Sequence, residues 1–209
     1  MSAHQLHRQL GITYKSAWFM AHRIRYAMAQ DPMTAGMLDG IVEIDETYVG
    51  GKGKGKRGRG SVAKTPVVAL IQRDGQARSF KVDNVKGETL KGLARANVKE
   101  TAHIMTDSFR SYRGIDKHFA SHGYVDHSKE YVRGIIHTNF AESYFSLLKR
   151  GILGSFHHIS KQHMHRYLGE FDYRWNNREE STDTQVSQAI KGFEGKRLTY
   201  KEPLQKRQG

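Results

Sequence analysis

Asp45, Asp107 and Glu142 are the residues of this 209-residue chain whose setting suggests chemistry. Asp45 lies in VEIDETYV and Asp107 in HIMTDSFRSY, each among apolar neighbours where an unpaired charge is costly. Carboxylates held close together repel one another unless they share a cation, and such oxygen-donor sets suit Mg²⁺ or Mn²⁺. Glu142 falls in NFAESYFSLLKRGI, where steps of three and four put Asn139, Glu142, Ser146 and Lys149 on one helix face. The opposite side, with Phe140, Tyr144, Leu147 and Leu148, is left to pack on the rest of the chain.

The same acids have plainer readings. Asp107, with Ser108 after it, could cap the next element at a strand end. The Glu142 face could be an ordinary solvated face. Glu43 and Glu46 read as acids bordering the strand on a different face from Asp45, since adjacent strand residues point to opposite sides. Glu170 is the runner-up third acid, although with Arg174, Asn177, Phe171, Tyr173 and Trp175 it reads as fixing the last helix on the core. His157, His158, His163 and His165 invite a metal reading, but adjacent and i,i+2 histidines diverge on a helix.

The partner is suggested by charge. Lys and Arg number 34 against 21 Asp and Glu, a formal charge of +13, which favours a polyanion and nucleic acid first. Five of the bases, Lys52, Lys54, Lys56, Arg57 and Arg59, alternate with glycines in GGKGKGKRGRG directly after the Asp45 strand. Such a loop can follow phosphates but hardly read bases. The absence of cysteine rules out disulfides, thiolate zinc ligands and cysteine nucleophiles. No apolar run of about 18 residues is present to span a membrane and no signal core opens the chain, so a cytoplasmic protein is expected.

These residues need elements to hold them. Residues 1–30 read as helix, Gly11 turn and helix, with Ser2 and Thr13 as caps. This is either a helix-turn-helix-like DNA-binding segment, with Tyr14, Lys15, His22, Arg23 and Arg25 as contacts, or a plain helical hairpin. Residues 38–180 read as three strands in an antiparallel meander, a helix, a fourth strand ending at Asp107, a helical SYRGIDKHFA, an extended YVDHSKEYV and two late helices. That pattern is α/β of the ribonuclease-H-like kind, with the first and fourth strands adjacent at the centre. Residues 181–209 read as a polar basic tail.

VEIDETYVGGK, TDSFRSY, HTNFAESYFSLLKRGILGSFHHIS and HRYLGEFDYRWNNR together resemble bacterial insertion-sequence transposases of the ISXO-type branch, over nearly the whole chain. Asp45, Asp107 and Glu142 match the order of that group's DDE triad, with 34 residues between the last two and Lys149 seven beyond the glutamate. The resemblance implies an RNase H-like catalytic domain, two divalent ions bridged by Asp45, and cutting and joining of DNA at transposon ends. It implies double-stranded DNA partners, both terminal repeats and target, and at least a dimer on DNA. Lys149, beside Arg150, would hold a phosphate. Asn139 competes with Glu142, because the group's third position can be asparagine. The group's usual zinc ribbon would precede residue 1, so a truncated copy is expected. The alternatives are a non-catalytic DNA-binding remnant and a nuclease that never joins strands.

Overall fold

The computed structural model describes residues 1–30, 35–50, 64–126, 128 and 132–199. Alternating β-branched and aromatic residues form β1, Ile41–Val49, which runs antiparallel to β2, Thr65–Gln72. A turn at Asp74 and Gly75, with Asp74 at φ 54°, reverses the chain into β3, Ala77–Lys81. Helix α3, Gly87–Asn97, then crosses the sheet to β4, His103–Asp107, which lies parallel to β1. β5, Ser121–Val125, is parallel to β4, giving the order β3-β2-β1-β4-β5. The meander and the central β1–β4 pair stand as the sequence pattern predicts. The result is an α/β fold with a mixed five-stranded sheet flanked by helices, consistent with the RNase H-like kind.

Both faces of the sheet are covered, which explains why β2 is buried along nearly its whole length. On one side Val42, Ile44, Val68, Leu70 and Ile104 pack with Leu90 and Ala94 of α3 and with Tyr112 and Ile115. On the other, Val49, Val67, Ala69 and Ile71 meet α4, Asn139–Gly151, and α5, Met164–Asn176, through Tyr144, Leu148 and Phe171. The chain leaves α4 through a π-helical turn, Ile152–Phe156.

The N-terminal reading matches α1, Ala3–Leu10, and α2, Tyr14–Met28. Ser2 accepts from the Gln5 N–H, Thr13 accepts from the Ser16 N–H, and Gly11 turns at φ 63°. Three readings change. The extended YVDHSKEYV gives way to β5, Ser121–Val125, which overlaps it only at Tyr124 and Val125. SYRGIDKHFA is not one helix but two 3₁₀ turns, Arg110–Tyr112 and Asp116–His118, because Gly114 between them sits at φ 77°. The expected tail from 181 opens as a helix, α6, Thr182–Lys191, capped by Ser181. Just beyond it, Lys196 Nζ donates to the carbonyls of Tyr26, Ala27 and Ala29 at the end of α2, a cation placed where the helix dipole is negative.

Candidate active site

The β1–β4 ladder pairs Ile41 with His103, Val42 with Ile104 and Glu43 with Met105, a constant offset of 62 residues. Asp45 and Asp107 share that offset, two positions beyond the end of the ladder, and the charge of Asp107 is felt at Asp45. Asp45 Oδ1 accepts the Glu46 N–H at 2.8 Å. Asp107 Oδ1 accepts the Phe109 N–H at 2.9 Å, so this acid does cap the following turn. Capping occupies one lone pair of a group that has about four, and leaves the ligand reading intact. A cavity of about 410 Å³ opens beside Asp107, lined by Phe109, Tyr112, His122 and Tyr124 among others.

On α4, Asn139, Glu142, Ser146 and Lys149 are all exposed, while Ala141, Tyr144, Phe145 and Leu148 are buried. The helical spacing therefore sorts the polar face from the packing face, with Phe140 and Leu147 half-buried at the border. Asn139 is the first residue of the helix and Glu142 lies one turn on, so the structure places both on the same exposed surface.

Burial pushes the Asp45 carboxyl up to about 7, and the negative charges of Glu46, Asp107 and Glu142 add to the rise. A buried carboxyl that binds a proton near neutrality, with other acids close by, is one whose charged form a cation would favour. The hard oxygen donors and their shared field thus fit a divalent ion in kind. Among the described residues, however, no group of three or more His, Cys, Asp or Glu side chains is arranged to hold a metal ion as it stands. Among the described residues, His157, His158, His163 and His165 form no such group either.

Other residues fall differently from expectation. Glu43 lies on the same side of β1 as Asp45, two residues away, and is fully buried against the start of α4. The sequence reading set it apart from Asp45, although i and i+2 share a strand face. Glu46 does face the other way, accepting from the Tyr112 hydroxyl at 2.8 Å. Glu170 is buried and its two oxygens receive Arg25 Nε at 2.7 Å and Arg174 Nη2 at 2.6 Å, so it joins α5 to α2 as an ion pair. Arg25, expected among the DNA contacts, is buried in that pair and stacked over Tyr167. His22, also expected there, is fully buried against Trp18 and Tyr167. Lys15, Arg23, Lys149 and Arg150 are exposed. Lys52, Lys54, Lys56, Arg57 and Arg59 lie outside the described residues.

Residues 37–176 match the family described as the ISXO2-like transposase domain. The chain belongs to that family. The transposase domain so matched takes in all five strands, α4 and α5, and therefore Asp45, Asp107 and Glu142, whereas α1, α2 and α6 lie outside it. A Halobacterium salinarum protein, described as an uncharacterized protein in transposable element ISH50, is 32% identical over 192 residues, 83% of this chain. The match covers 64% of that relative's length. A Haemophilus influenzae protein, described as an uncharacterized transposase-like protein, is 33% identical over 112 residues, 53% of this chain and 90% of its own. The insertion-sequence resemblance read from the sequence holds. Among the described residues, no helix of this transposase-family chain is long and apolar enough to cross a membrane.

Proposed function

We propose that this chain cuts DNA at the ends of an insertion sequence and joins those ends to target DNA, with Asp45, Asp107 and Glu142 holding the divalent ions the reaction uses. The observation that supports this most is that Asp45 and Asp107 share one register offset on adjacent parallel strands, with the charges of Asp107 and Glu142 felt at Asp45. Asp45, Asp107 and Glu142 would supply the carboxylate oxygens that hold the ions. Mg²⁺ or Mn²⁺ bound there would activate the attacking hydroxyl and stabilise the leaving oxygen.

In the first reaction a water oxygen bonds to the phosphorus at the element's end. The bond from phosphorus to the 3′ oxygen breaks, and that oxygen leaves as a 3′-hydroxyl. In the second, this hydroxyl loses its proton, bonds to a target phosphorus and expels the target strand's 3′ oxygen. The protein's own part is to place the DNA. Lys149 lies two turns from Glu142 on the same exposed face, about 10 Å along the helix, and would hold a phosphate as a point charge with Arg150 beside it. Lys15 and Arg23, exposed on α2, are the contacts that remain for reading end sequence. Lys52, Lys54, Lys56, Arg57 and Arg59 are assigned to phosphate contact on sequence grounds alone. Synapsis of two ends calls for at least two copies of the chain.

The test is incubation of the full chain with duplexes carrying its own element's terminal sequences, plus a plasmid target, in Mg²⁺ or in EDTA. The proposal expects new 3′-hydroxyl ends and joined products in Mg²⁺ alone. Cleavage without joined product would make the chain a nuclease, and binding without any metal-dependent reaction would make it a DNA-binding remnant.

A further inference from the structure

The first N–H groups of a helix have no carbonyl ahead of them and need acceptors from elsewhere. At the start of α4 the N-cap residue, Thr138, makes no side-chain capping bond. The acceptor arrives from another element, since Glu43 Oε2 on β1 receives the N–H of Phe140 at 2.9 Å and that of Ala141 at 3.1 Å. Its other oxygen, Oε1, receives Arg73 Nε at 2.8 Å and lies 3.1 Å from His137 Nδ1. Arg73 sits just past the end of β2 and uses the rest of its fork on the approach to the helix. Its Nη1 donates to the Ile135 carbonyl at 2.8 Å and its Nη2 to the His137 carbonyl at 3.1 Å.

A serine or aspartate at the N-cap would satisfy the same N–H groups locally. It would make no bond between the helix and the sheet. A fully buried carboxylate gripped at both oxygens does more, because it ties the backbone of α4 to β1 and carries a desolvation cost that a local cap avoids. The tie falls next to both acids of interest. Ala141, whose N–H is held, is the neighbour of Glu142, and Glu43 is two residues from Asp45 on the same face.

We infer that Glu43 is a positioning residue that sets where Glu142 stands relative to Asp45, and that Arg73 fixes the entry of the chain into α4. This rests on the proposed role of Asp45, Asp107 and Glu142 in holding divalent ions. Glu43 acts through the start of α4 and touches neither ion nor substrate.

The experiment is calorimetric titration of Mn²⁺ into the full chain without DNA, for wild type, Glu43→Gln, Glu142→Gln and the double variant, with circular dichroism as a check on fold. A glutamine at 43 has one acceptor where the site has donors on both sides, so either Arg73 or the helix loses its partner. Expected is a weakening of Mn²⁺ binding by about tenfold to a hundredfold in Glu43→Gln, the range for residues that orient metal ligands. The double variant should be no weaker than Glu142→Gln alone, because Glu43 has nothing left to position. Effects that multiply in the double variant would overturn the inference, as would wild-type binding in Glu43→Gln. Should Glu43→Gln not fold, Arg73→Lys serves, since it keeps the charge beside Glu43 and loses the fork. It should weaken Mn²⁺ in the Glu142 background only, and wild-type affinity in Arg73→Lys would overturn the inference. Unchanged binding in Glu142→Gln would instead overturn the metal reading itself, and the inference with it.

Discussion

Arg25 Nε donates to Glu170 Oε2 across 2.7 Å, with the two side chains 5% and 6% exposed, so the N-terminal helices are joined to α5 by a charge pair almost out of reach of water. Removing one member of such a pair leaves a buried charge unpaired and costs about 3–5 kcal/mol. Glu170→Ala should therefore lower stability by that order in urea denaturation and still cleave DNA at a temperature where it is folded. Glu142→Ala, on an exposed helix face, should cost under about 0.5 kcal/mol and abolish cleavage. The reverse pattern would hand the third position to Glu170.

Asp45 gives a pH signature in EDTA. Its carboxyl titrates at about 7 in the fold, against about 3.9 in an unfolded chain. Between those values the native state holds a proton that the unfolded state has released, so this group lowers stability as pH rises from 4 to 7. Above 7 the loss is constant. Asp45→Asn removes it, so the unfolding free energy of the variant minus that of wild type should grow from pH 5 to pH 7 and then level off. A difference independent of pH would contradict the burial of Asp45 beside other acids.

Gly151 tests the seating of α4. A Cβ there would come 2.3 Å from Phe171 Cζ, in the core between α4 and α5. Alanine favours a helix over glycine by up to about 1 kcal/mol, but overpacking a core costs about 1–3 kcal/mol. The overpacking should win, and thermal unfolding of Gly151→Ala should come at a lower temperature than wild type. A higher one would mean that the two helices part easily.

Lys149 and Arg150 should show in salt dependence. If both meet phosphates, replacing them with alanine lowers the slope of log affinity against log salt by about 2 in magnitude. Parallel lines for variant and wild type would place the DNA elsewhere.

Much of this arrangement can be read in the sequence because local rules carry it. Helical spacing separates the Asn139, Glu142, Ser146 and Lys149 face from Tyr144 and Leu148, and the strand pattern brings β1 beside β4. Glu43 was legible in part, since two residues on a strand from Asp45 means the same face. Its hold on Phe140 was not, because that contact closes 97 residues of chain. Arg25 looked like a surface base in a basic helix for the same reason, its partner being 145 residues away. Helix α6 had a readable start in Ser181, which accepts from the Thr184 N–H, but polar and basic composition masked it.

Asp45 and Asp107 are proposed to work as one metal-holding pair. The most direct measurement is single-turnover cleavage of an end duplex at saturating protein by Asp45→Asn and Asp107→Asn, with duplex affinity read by fluorescence anisotropy. That pairing means that each variant should bind DNA within about twofold of wild type, because no phosphate-binding cation is lost, and cleave at least about a thousandfold more slowly. Cleavage at the wild-type rate by either variant would contradict it.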